Sequence, residues 1–442
     1  MKILYLCPDL GIPVLGRKGG AVHVRELVTA LRRAGHQVVL SAQTLTKSPW
    51  EKPAALDVPL LQVRPSLSAS AAVQALKEFN ELLGVQNSMP GEFRRILYNQ
   101  ELEKDLHRRF ENDPPDFIYE RASLYATGGV ALARSLGVPL LLELNAPLAE
   151  EQVAYRATGF SELAAQAERW TLTQADAVLV VSTPLREHAL ALGVEADRIH
   201  VLPNGVDTAC FHPAQPDPDV RRRLKLDGGP VLGFVGGLRP WHGAEVLPEL
   251  LQRLSGGHPG VRLVVAGDGP LRGALEEALQ QRGLSSRVTL AGLVPHDEIP
   301  DVIRQFDVAV APYPAPSHPF YFSPVKLFEY MACGVPVVAP ELGQIPDVLR
   351  HEETGLLYPP GDVASLTSCC ERLLADGALR RRLGQAGAKR VTERFTWDHN
   401  ARRVLELAQS LREGGPPRSP LTPPEPAAAP EASALEAGGR QG

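Results

Sequence analysis

The sequence predicts an α/β protein of two domains, each built on a parallel β-sheet. The chain has 442 residues, which is enough for two separate hydrophobic cores. In both halves, short apolar segments of strand length alternate with helical segments, a pattern typical of parallel strands joined by crossover helices. Both halves also open in the same way, with a strand, a glycine-bearing loop and a helix. These three observations determine the predicted fold class.

The first domain is predicted over residues 1–208. Its first strand, Ile3–Cys7, leads through a long loop to Gly19-Gly20, and a helix then runs from about Ala21 to Ala34. A mainly helical stretch over about 66–110 interrupts the alternation. We interpret it as an insertion packed on the domain, and contact with an acceptor or a membrane surface is the alternative. The other predicted strands of this domain are Gln37–Ala42, Phe117–Tyr119, Leu140–Leu144, Ala177–Val181 and Ile199–Val201.

A proline-rich stretch over 209–228 predicts the linker to the second domain, which is expected over 229–395. The second domain opens with the strand Val231–Val235, followed by Gly236-Gly237 and a helix from about Ala244. Its other predicted strands are Arg262–Ala266, Val288–Ala291, Val308–Ala311, Val337–Val338 and Gly355–Leu357.

The end of the chain is predicted to leave the second domain. A helix over 396–412 is expected to pack back toward the first domain. The segment 413–442 is rich in Pro, Ala and Glu and has no apolar period, so we expect it to be disordered.

Composition excludes several classes of function. The net charge is -5 and no long basic run occurs, which argues against nucleic acid as the main partner. The five cysteines are odd in number and lack zinc-ligand spacing, as expected of reduced thiols in a cytoplasmic protein. No stretch approaches about 18 apolar residues, so no transmembrane helix is expected. Peripheral contact with the inner face of a membrane is compatible with these observations.

Metal binding is not indicated either. The Asp217-Pro218-Asp219 triplet resembles an Asp-x-Asp metal site, but it lies in the predicted linker and not at a strand end. No other group of Asp, His or Cys has the spacing of metal ligands. We therefore expect no metal site.

The most informative segment begins at Ser323 and leads into a short helix that carries a cation and a carboxylate. Lys326 and Glu329 are three residues apart and share a helix face. The helix start, which follows Pro324, offers free N–H groups from Val325 onward and the positive end of the helix dipole. This combination suits a nucleoside diphosphate, with phosphate on the lysine and amides and sugar hydroxyls on the glutamate. A surface Lys–Glu pair on an ordinary crossover helix is the alternative.

Two glycine loops lie at the predicted carboxyl edges of the sheets. Gly19-Gly20 opens the first helix beside His23, and glycines there let a backbone approach an anion closely. Gly236-Gly237 brings Arg239 and His242 to the end of a strand, where ligands bind in open α/β folds. Arginine suits a diphosphate through its fork of donors, and histidine adds a hydrogen bond. A mobile surface loop and a helix-capping turn are the alternatives.

Polar groups follow further strand ends. Asp268-Gly269 comes after Arg262–Ala266, where it either borders a nucleotide pocket or forms a simple turn. In the first domain, Glu120 and Arg121 follow one strand, and Glu143 and Asn145 end the next. We expect these four side chains to face the cleft on the acceptor side. A structural salt bridge between Arg121 and a carboxylate is the competing interpretation.

Taken together, these motifs resemble the retaining glycosyltransferases of family 4. The resemblance extends to about Arg412 and implies the GT-B fold, in which two Rossmann-like domains with parallel sheets face each other. The segments that carry it are Gly19-Gly20 with His23, Leu202–Asp207, Phe234–Gly237, Gly267–Pro270, Lys326–Pro336 and Phe395–Trp397.

The resemblance implies transfer of a sugar from a nucleoside diphosphate sugar to an acceptor hydroxyl, with retention at the anomeric carbon. The acceptor stays open among glycans, lipid-linked carriers and small molecules. No cofactor is implied beyond the nucleotide sugar as co-substrate. The residues to which we assign catalysis are Arg239, Lys326, Glu329 and His23. The residues expected to bind the donor are Gly19, Gly20, Gly236, Gly237, His242, Asp268, Gly269, Ser323, Pro324 and Val325.

The sequence departs from the family pattern at two places. The family commonly has an arginine and a lysine in the loop after the first strand of the second domain, where this chain has Gly237 and His242. The family also often has a glutamate at each end of a nine-residue segment, and here Tyr321 takes the first place while Glu329 keeps the second. The variant motifs resemble a subgroup that makes surface polysaccharides.

Two other functions remain compatible with the sequence. Sugar-nucleotide 2-epimerases share the GT-B architecture and need acid and base carboxylates in the cleft, for which Glu120, Glu143 and Asp268 are available. A non-catalytic nucleotide-sugar-binding protein is the third interpretation, and the departures at Gly237 and Tyr321 favour it. Turnover of the donor alone to an epimer, or binding without turnover, would distinguish these functions from transfer.

Overall fold

Two parallel sheets form the centre of the molecule in a computed structural model that describes residues 1–16, 19–47, 53–156, 158–226, 228–315 and 318–414. The strands of the first sheet are β1 Lys2–Cys7, β2 Gln37–Ala42, β3 Leu60–Leu61, β4 Phe117–Arg121, β5 Leu140–Leu144, β6 Ala177–Val180 and β7 Ile199–Val201. The strands of the second sheet are β8 Val231–Val235, β9 Arg262–Ala266, β10 Val288–Gly292, β11 Val308–Val310, β12 Val337–Pro340 and β13 Leu356–Tyr358.

The strand orders are β3-β2-β1-β4-β5-β6-β7 in the first sheet and β10-β9-β8-β11-β12-β13 in the second. Neighbouring strands pair in parallel in both sheets. In each sheet the order reverses beside the first strand of that half, which places a crevice at the carboxyl ends of the central strands. The predicted α/β class is confirmed, and every predicted strand is present.

Helices connect the strands. Those of the first half are α1 Gly19–Arg33, α2 Leu67–Leu82, α3 Met89–Phe110, α4 Gly128–Leu136, α5 Leu148–Arg156, α6 Ser161–Gln174 and α7 Thr183–Ala191. Those of the second half are α8 Pro218–Arg223, α9 Leu247–Gly257, α10 Arg272–Gln281, α11 Ile299–Ile303, α12 Val325–Ala332, α13 Ile345–Val348, α14 Val363–Ala375, α15 Gly377–Arg394 and α16 Trp397–Gly414.

Strands buried on both faces account for the continuous apolar runs in the sequence. All five residues of Leu140–Leu144 are buried, and so are all five of Val231–Val235. Parallel sheets covered by helices on both faces require such runs, in contrast to the alternating pattern of a half-exposed sheet. Separate apolar clusters cover the two faces of each sheet.

The last helix lies against the first sheet. Trp397, Ala401 and Val404 of α16 belong to the same buried cluster as residues of β1 and α1. The chain enters α16 beside the junction of the two halves, where the Val206 N–H donates to the Phe395 carbonyl at 3.0 Å. The predicted disordered tail lies outside the described residues from 415 onward.

Two features of the fold differ from the sequence prediction. The strand β3 was missed because two residues, Leu60–Leu61, are too few to show a periodic pattern. The proline-rich linker contains the short helix α8, in which Pro218 occupies the first turn and the Asp217 side chain accepts from the Asp219 N–H. Proline is well suited to a first helical turn because its missing N–H would have no partner there.

The predicted helical insertion consists of α2 and α3. Helix α2 buries only Val73, and the large apolar side chains Leu67, Phe79 and Leu82 are exposed. Among the described residues, no helix combines the length and apolar character needed to cross a bilayer.

Candidate active site

A cavity of about 400 Å³ lies at the carboxyl ends of the second sheet and is closed on one side by α1 of the first. Its size is in the range of small-molecule sites. Gly19 and Val22 contribute from the first half of the chain. The predicted site residues that line the cavity are Gly19, Gly236, Gly237, His242, Asp268, Ser323, Pro324, Val325, Lys326 and Glu329.

Lys326 is a buried cation whose ammonium group makes no hydrogen bond within the described part of the chain. Only 8% of the residue is exposed. Its Nζ lies 4.4 Å from the ring centroid of Phe234 and 5.1 Å from that of Tyr313. Aromatic faces attract a cation but leave its hydrogen-bond donors unused. Burial lowers the pKa of Lys326 to about 7, and the charge of Glu329 opposes this shift.

The glycine at the end of β8 makes room for this lysine. Gly236 has a φ of 144°, and a Cβ atom there would lie 2.7 Å from Lys326 Nζ. Any side chain at this position would therefore displace the ammonium group and strain the backbone. The sequence signal of two glycines after a strand thus corresponds to a real steric requirement.

Glu329 lies one helical turn after Lys326 and is held by a histidine. Glu329 Oε1 is 3.1 Å from His296 Nε2, and 7% of Glu329 is exposed. Burial lowers the pKa of His296, but the hydrogen bond and charge of Glu329 outweigh it, so the pKa of His296 is raised. Glu329 and His296 both line the cavity.

His242 is a neutral group in this site. Its Nδ1 lies 2.6 Å from the Gly237 carbonyl oxygen, and because a carbonyl only accepts, Nδ1 carries the proton. Burial, followed by the charges of Lys326 and Arg239, lowers the pKa of His242 to about 3. The other ring nitrogen, Nε2, therefore keeps its lone pair and acts as an acceptor.

Two other predicted donor-site residues make local contacts. Arg239 is exposed, and its guanidinium carbon lies 5.8 Å from the ring centroid of Trp241, a residue that lines the cavity. Arg239 is not among the residues that line the cavity, and its catalytic role stays a prediction. Asp268 Oδ1 accepts the backbone N–H of Gly269 at 2.7 Å, as expected of a turn.

The acceptor-side candidate Glu143 is the centre of a buried polar network. Its Oε2 is 2.8 Å from His23 Nε2, and its Oε1 accepts from Arg121 at 2.6 Å. Tyr119 and Asn145 also donate to this carboxylate. Burial alone would raise the pKa of Glu143, but His23, Arg121 and Tyr119 together hold it well below the usual range. The structural ion pair of Arg121, the competing interpretation, is the one found.

His23 is also part of the packing between the first sheet and the last helix. Its ring lies edge-on to Trp397 of α16, with 4.8 Å between the ring centroids. Only 5% of His23 is exposed, and it does not line the cavity. Its neighbour Gly20 is also absent from the lining, although the Arg121 guanidinium lies 3.8 Å from where its Cβ would be. Through Arg121, the network therefore packs close to Gly20 at the start of α1.

Glu120 does not face the cleft, contrary to the prediction. It is 1% exposed, and its carboxylate points at α4, where a Cβ on Gly129 would lie 1.6 Å from Oε2. The described part of the chain offers its carboxylate no hydrogen-bond partner. Burial raises the pKa of Glu120 to about 8, so the side chain is largely protonated near neutral pH.

Comparison with known proteins identifies the family. Residues 229–376 match the family model described as "Glycosyl transferases group 1", and residues 18–205 match the "Glycosyl transferase 4-like domain". The chain is 30% identical to the alpha-maltose-1-phosphate synthase of Mycolicibacterium smegmatis, over 62% of this chain and 74% of that protein. This chain belongs to the group 1 glycosyltransferases. It is also 26% identical to the glycogen synthase of Mycobacterium tuberculosis H37Rv, over 96% of this chain and 98% of that one.

Solved structures of glycosyltransferases share the fold. A sucrose-phosphate synthase from Thermosynechococcus elongatus gives a TM-score of 0.68 at 23% identity, covering 93% of this chain and 98% of that chain. Anabaena HepE, solved in complex with UDP, gives 0.69 at 20% identity, covering 93% of this chain and 100% of that chain. The predicted GT-B fold of two facing Rossmann-like domains is confirmed, and the protein is a glycosyltransferase.

Several residues of this glycosyltransferase's site were not predicted from the sequence, among them His296, Phe234 and Tyr313. His296 follows the strand β10 at the same sheet edge as the glycine loops, so the strand-end argument used elsewhere could have found it. Phe234 and Tyr313, whose rings surround Lys326 Nζ, lie within or just after central strands. An aromatic residue in a buried strand gives no signal that distinguishes it from ordinary core.

Proposed function

We propose that this glycosyltransferase moves a sugar from a nucleoside diphosphate sugar to an acceptor hydroxyl, with retention at the anomeric carbon, as a member of family 4. The observation that carries the proposal is the state of Lys326. Its ammonium group is buried at the cavity and, among the described residues, has no hydrogen-bond partner. Burying such a donor costs free energy unless a ligand completes its bonds. Anabaena HepE, which shares the fold, was solved with UDP and with UDP-glucose.

The cavity suits a diphosphate leaving group. Lys326 supplies a positive charge, and Val325, the first residue of α12, lines the cavity beside it and offers a backbone N–H that no residue of the helix can accept. Preorganised charge and amides stabilise the oxygens that become more negative as the bond to the sugar breaks. Glu329 Oε1 lies beside His296, and the other carboxylate oxygen of Glu329 would accept hydrogen bonds from the ribose hydroxyls.

Retention is proposed to follow from a same-face route. The departing phosphate oxygen accepts the proton of the incoming hydroxyl, so a pair of flanking carboxylates is not required. This agrees with the positions of two of the candidate carboxylates, because Glu120 points at α4 and Glu143 is bonded to His23. The same positions disfavour the epimerase alternative, because of its three candidate carboxylates only Asp268 lines the cavity.

The finer assignments are proposals as well. We assign the charge stabilisation to Lys326 and the amides, with no resident metal or other cofactor. The acceptor would be a glycan, a lipid-linked carrier or a small molecule, in surface polysaccharide or glycolipid synthesis. Reduced cysteines and a nucleotide-sugar donor favour action in the cytoplasm, at the inner face of the membrane where the acceptor is lipid-linked.

Donor binding and product configuration test the proposal. A thermal-shift screen with UDP, GDP and ADP sugars should give one donor that raises the unfolding temperature. Lys326→Ala and Glu329→Ala should each abolish that shift, because they remove the cation and the ribose acceptor. The pair Lys389 and Glu393 provides the matched control, since it is a Lys–Glu pair on an exposed helix surface.

The product then decides the reaction. With the donor found in the screen, transfer to an acceptor should give a glycoside whose anomeric configuration equals that of the donor, measured by NMR coupling constants. An inverted product would refute retention. Unchanged donor binding in both Lys326→Ala and Glu329→Ala would show that the cavity is not the donor site. Conversion of the donor to an epimer in the absence of an acceptor would show that the protein is an epimerase.

A further inference from the structure

Tyr321 belongs by sequence to the second half of the chain but packs in the core of the first. It precedes α12 by a few residues, and 5% of it is exposed. Its side chain lies in the same buried apolar cluster as Leu144 and Val181, which end β5 and follow β6 of the first sheet. A large side chain from one half is therefore enclosed by the other.

Hydrogen bonds fix this side chain and its backbone from the first half. The Tyr321 hydroxyl donates to Glu151 Oε1 of α5 at 2.5 Å. The Ser182 hydroxyl donates to the Tyr321 carbonyl at 2.7 Å. Two residues later, Ser323 Oγ accepts the Asn204 backbone N–H at 2.9 Å. The segment is thus bonded to three separate elements of the first half.

The same segment forms a wall of the donor cavity. Phe322, Ser323 and Pro324 line the cavity directly, and α12 with Lys326 begins at the next residue. A shift of this segment would move the start of α12 relative to Gly19 on the opposite side. The first half of the chain therefore controls where the cation of the second half lies.

We propose that Tyr321 is a positioning residue that holds the donor-binding segment and α12 against the first domain in the geometry needed for transfer. The proposal rests on the proposed function and deepens it. At this position the family pattern described above has a glutamate. Its side chain is shorter than that of tyrosine and, when ionised, has no proton to donate, so glutamate could not make the same bond to Glu151.

The test separates positioning from donor contact. Tyr321→Phe keeps the ring and removes the bond to Glu151, and Tyr321→Ala also removes the ring. The matched control is Tyr125→Phe, because the Tyr125 hydroxyl donates to Glu92 at 2.5 Å entirely within the first domain. A hydrogen bond to a carboxylate corresponds to about tenfold or more in an equilibrium or rate constant.

We expect kcat to fall about tenfold in Tyr321→Phe and further in Tyr321→Ala, with the Kd of UDP within twofold of the parent. Glu151→Gln should lower kcat as Tyr321→Phe does, and the double variant should be no worse than either single one. Tyr125→Phe should keep kcat. Tyr321→Glu, which installs the family residue, should lose activity like Tyr321→Ala.

The proposal is overturned if Tyr321→Phe weakens UDP binding as much as it lowers kcat, because Tyr321 would then contact the donor. It is also overturned if Tyr321→Glu raises kcat or if Tyr125→Phe loses as much as Tyr321→Phe. A measurement that needs no turnover separates this from failure of the proposed function. Small-angle scattering should show a larger radius of gyration for Tyr321→Ala than for the parent, and equal radii would refute the positioning role.

Discussion

Donor binding should depend on pH through a single lysine. Lys326 has a pKa of about 7 in the free protein because it is buried, against an ordinary value of 10.5. In the proposed function, its charged form is the one that binds the diphosphate of the donor. Below pH 7 the group is already charged, whereas above pH 7 it must take up a proton when the donor binds. Donor affinity should therefore fall as the pH rises through 7.

The magnitude follows from the shift. We assume that the bound diphosphate restores the pKa of Lys326 to its ordinary range. The donor affinity at each pH is then proportional to the fraction of Lys326 that is charged in the free protein. Between pH 6 and pH 8 this corresponds to about tenfold in Kd, or about 1.4 kcal/mol. His242 adds nothing to this slope, because its pKa of about 3 keeps it neutral across the range.

The stability of the free protein should change in the opposite direction. Between about pH 7 and pH 10.5 the unfolded chain holds a proton on Lys326 that the folded chain has lost. The free energy of unfolding therefore rises with pH through this window. If partial unfolding at high pH caused the loss of affinity, the free energy of unfolding would fall with pH. A free energy of unfolding that rises while the affinity falls therefore assigns the loss to the charge of Lys326.

Isothermal titration calorimetry provides the assay. UDP-glucose is a suitable probe because its diphosphate is esterified at both ends and does not titrate in this range. At pH 8, titrations in buffers of different ionisation enthalpy should show uptake of nearly one proton per molecule bound. Lys326→Arg should bind with no slope between pH 6 and pH 8, because a guanidinium stays charged.

A slope that persists in Lys326→Arg would refute the reasoning. It would assign the titration to His296, whose pKa is raised by its bond to Glu329. Absence of proton uptake at pH 8 in the parent protein would refute it equally, since Lys326 would then be charged before the donor arrives.

Three further variants test the surroundings of the site. Gly236→Ala should weaken UDP binding at least tenfold, because its Cβ would lie 2.7 Å from Lys326 Nζ at a backbone φ of 144°. Glu143→Ala should lower the free energy of unfolding by about 3 kcal/mol in urea titrations, since it leaves the Arg121 charge buried without its partner. Trp397→Ala should cost about 3 kcal/mol or more in the same assay while leaving the Kd of UDP unchanged, because the ring packs away from the cavity.

The fold could be predicted from the sequence because strands that are buried on both faces appear in it as continuous apolar runs. Leu140–Leu144 and Val231–Val235 are such runs, and each is preceded directly by a proline in the chain. The sequence was insufficient where structure depends on distant partners. Leu60–Leu61 forms a strand only because the edge of β2 pairs with it through Leu40 and Ser41.

For the site, the sequence placed residues at the correct sheet edge but could not assign the direction of each side chain. Lys326 and Glu329 share a helix face, and the structure brings both to the cavity. Glu120 and Arg121 were placed after a strand, but β4 continues through both, so their side chains lie on opposite faces of the sheet. A shift of two residues in a strand end was enough to change a cleft residue into a buried one.

The replacement of two family cations helps to explain how one lysine can serve this site. The position of the family lysine holds His242, whose Nδ1 would lie 3.8 Å from a Cβ on Gly236, while Lys326 Nζ would lie 2.7 Å from it. A charged side chain there would lower the pKa of Lys326 further, because a like charge nearby favours the neutral amine. A neutral imidazole does not, and the faces of Phe234 and Tyr313 favour the ammonium form. The loss of charge at His242 is thus part of what keeps Lys326 able to carry its proton near neutral pH.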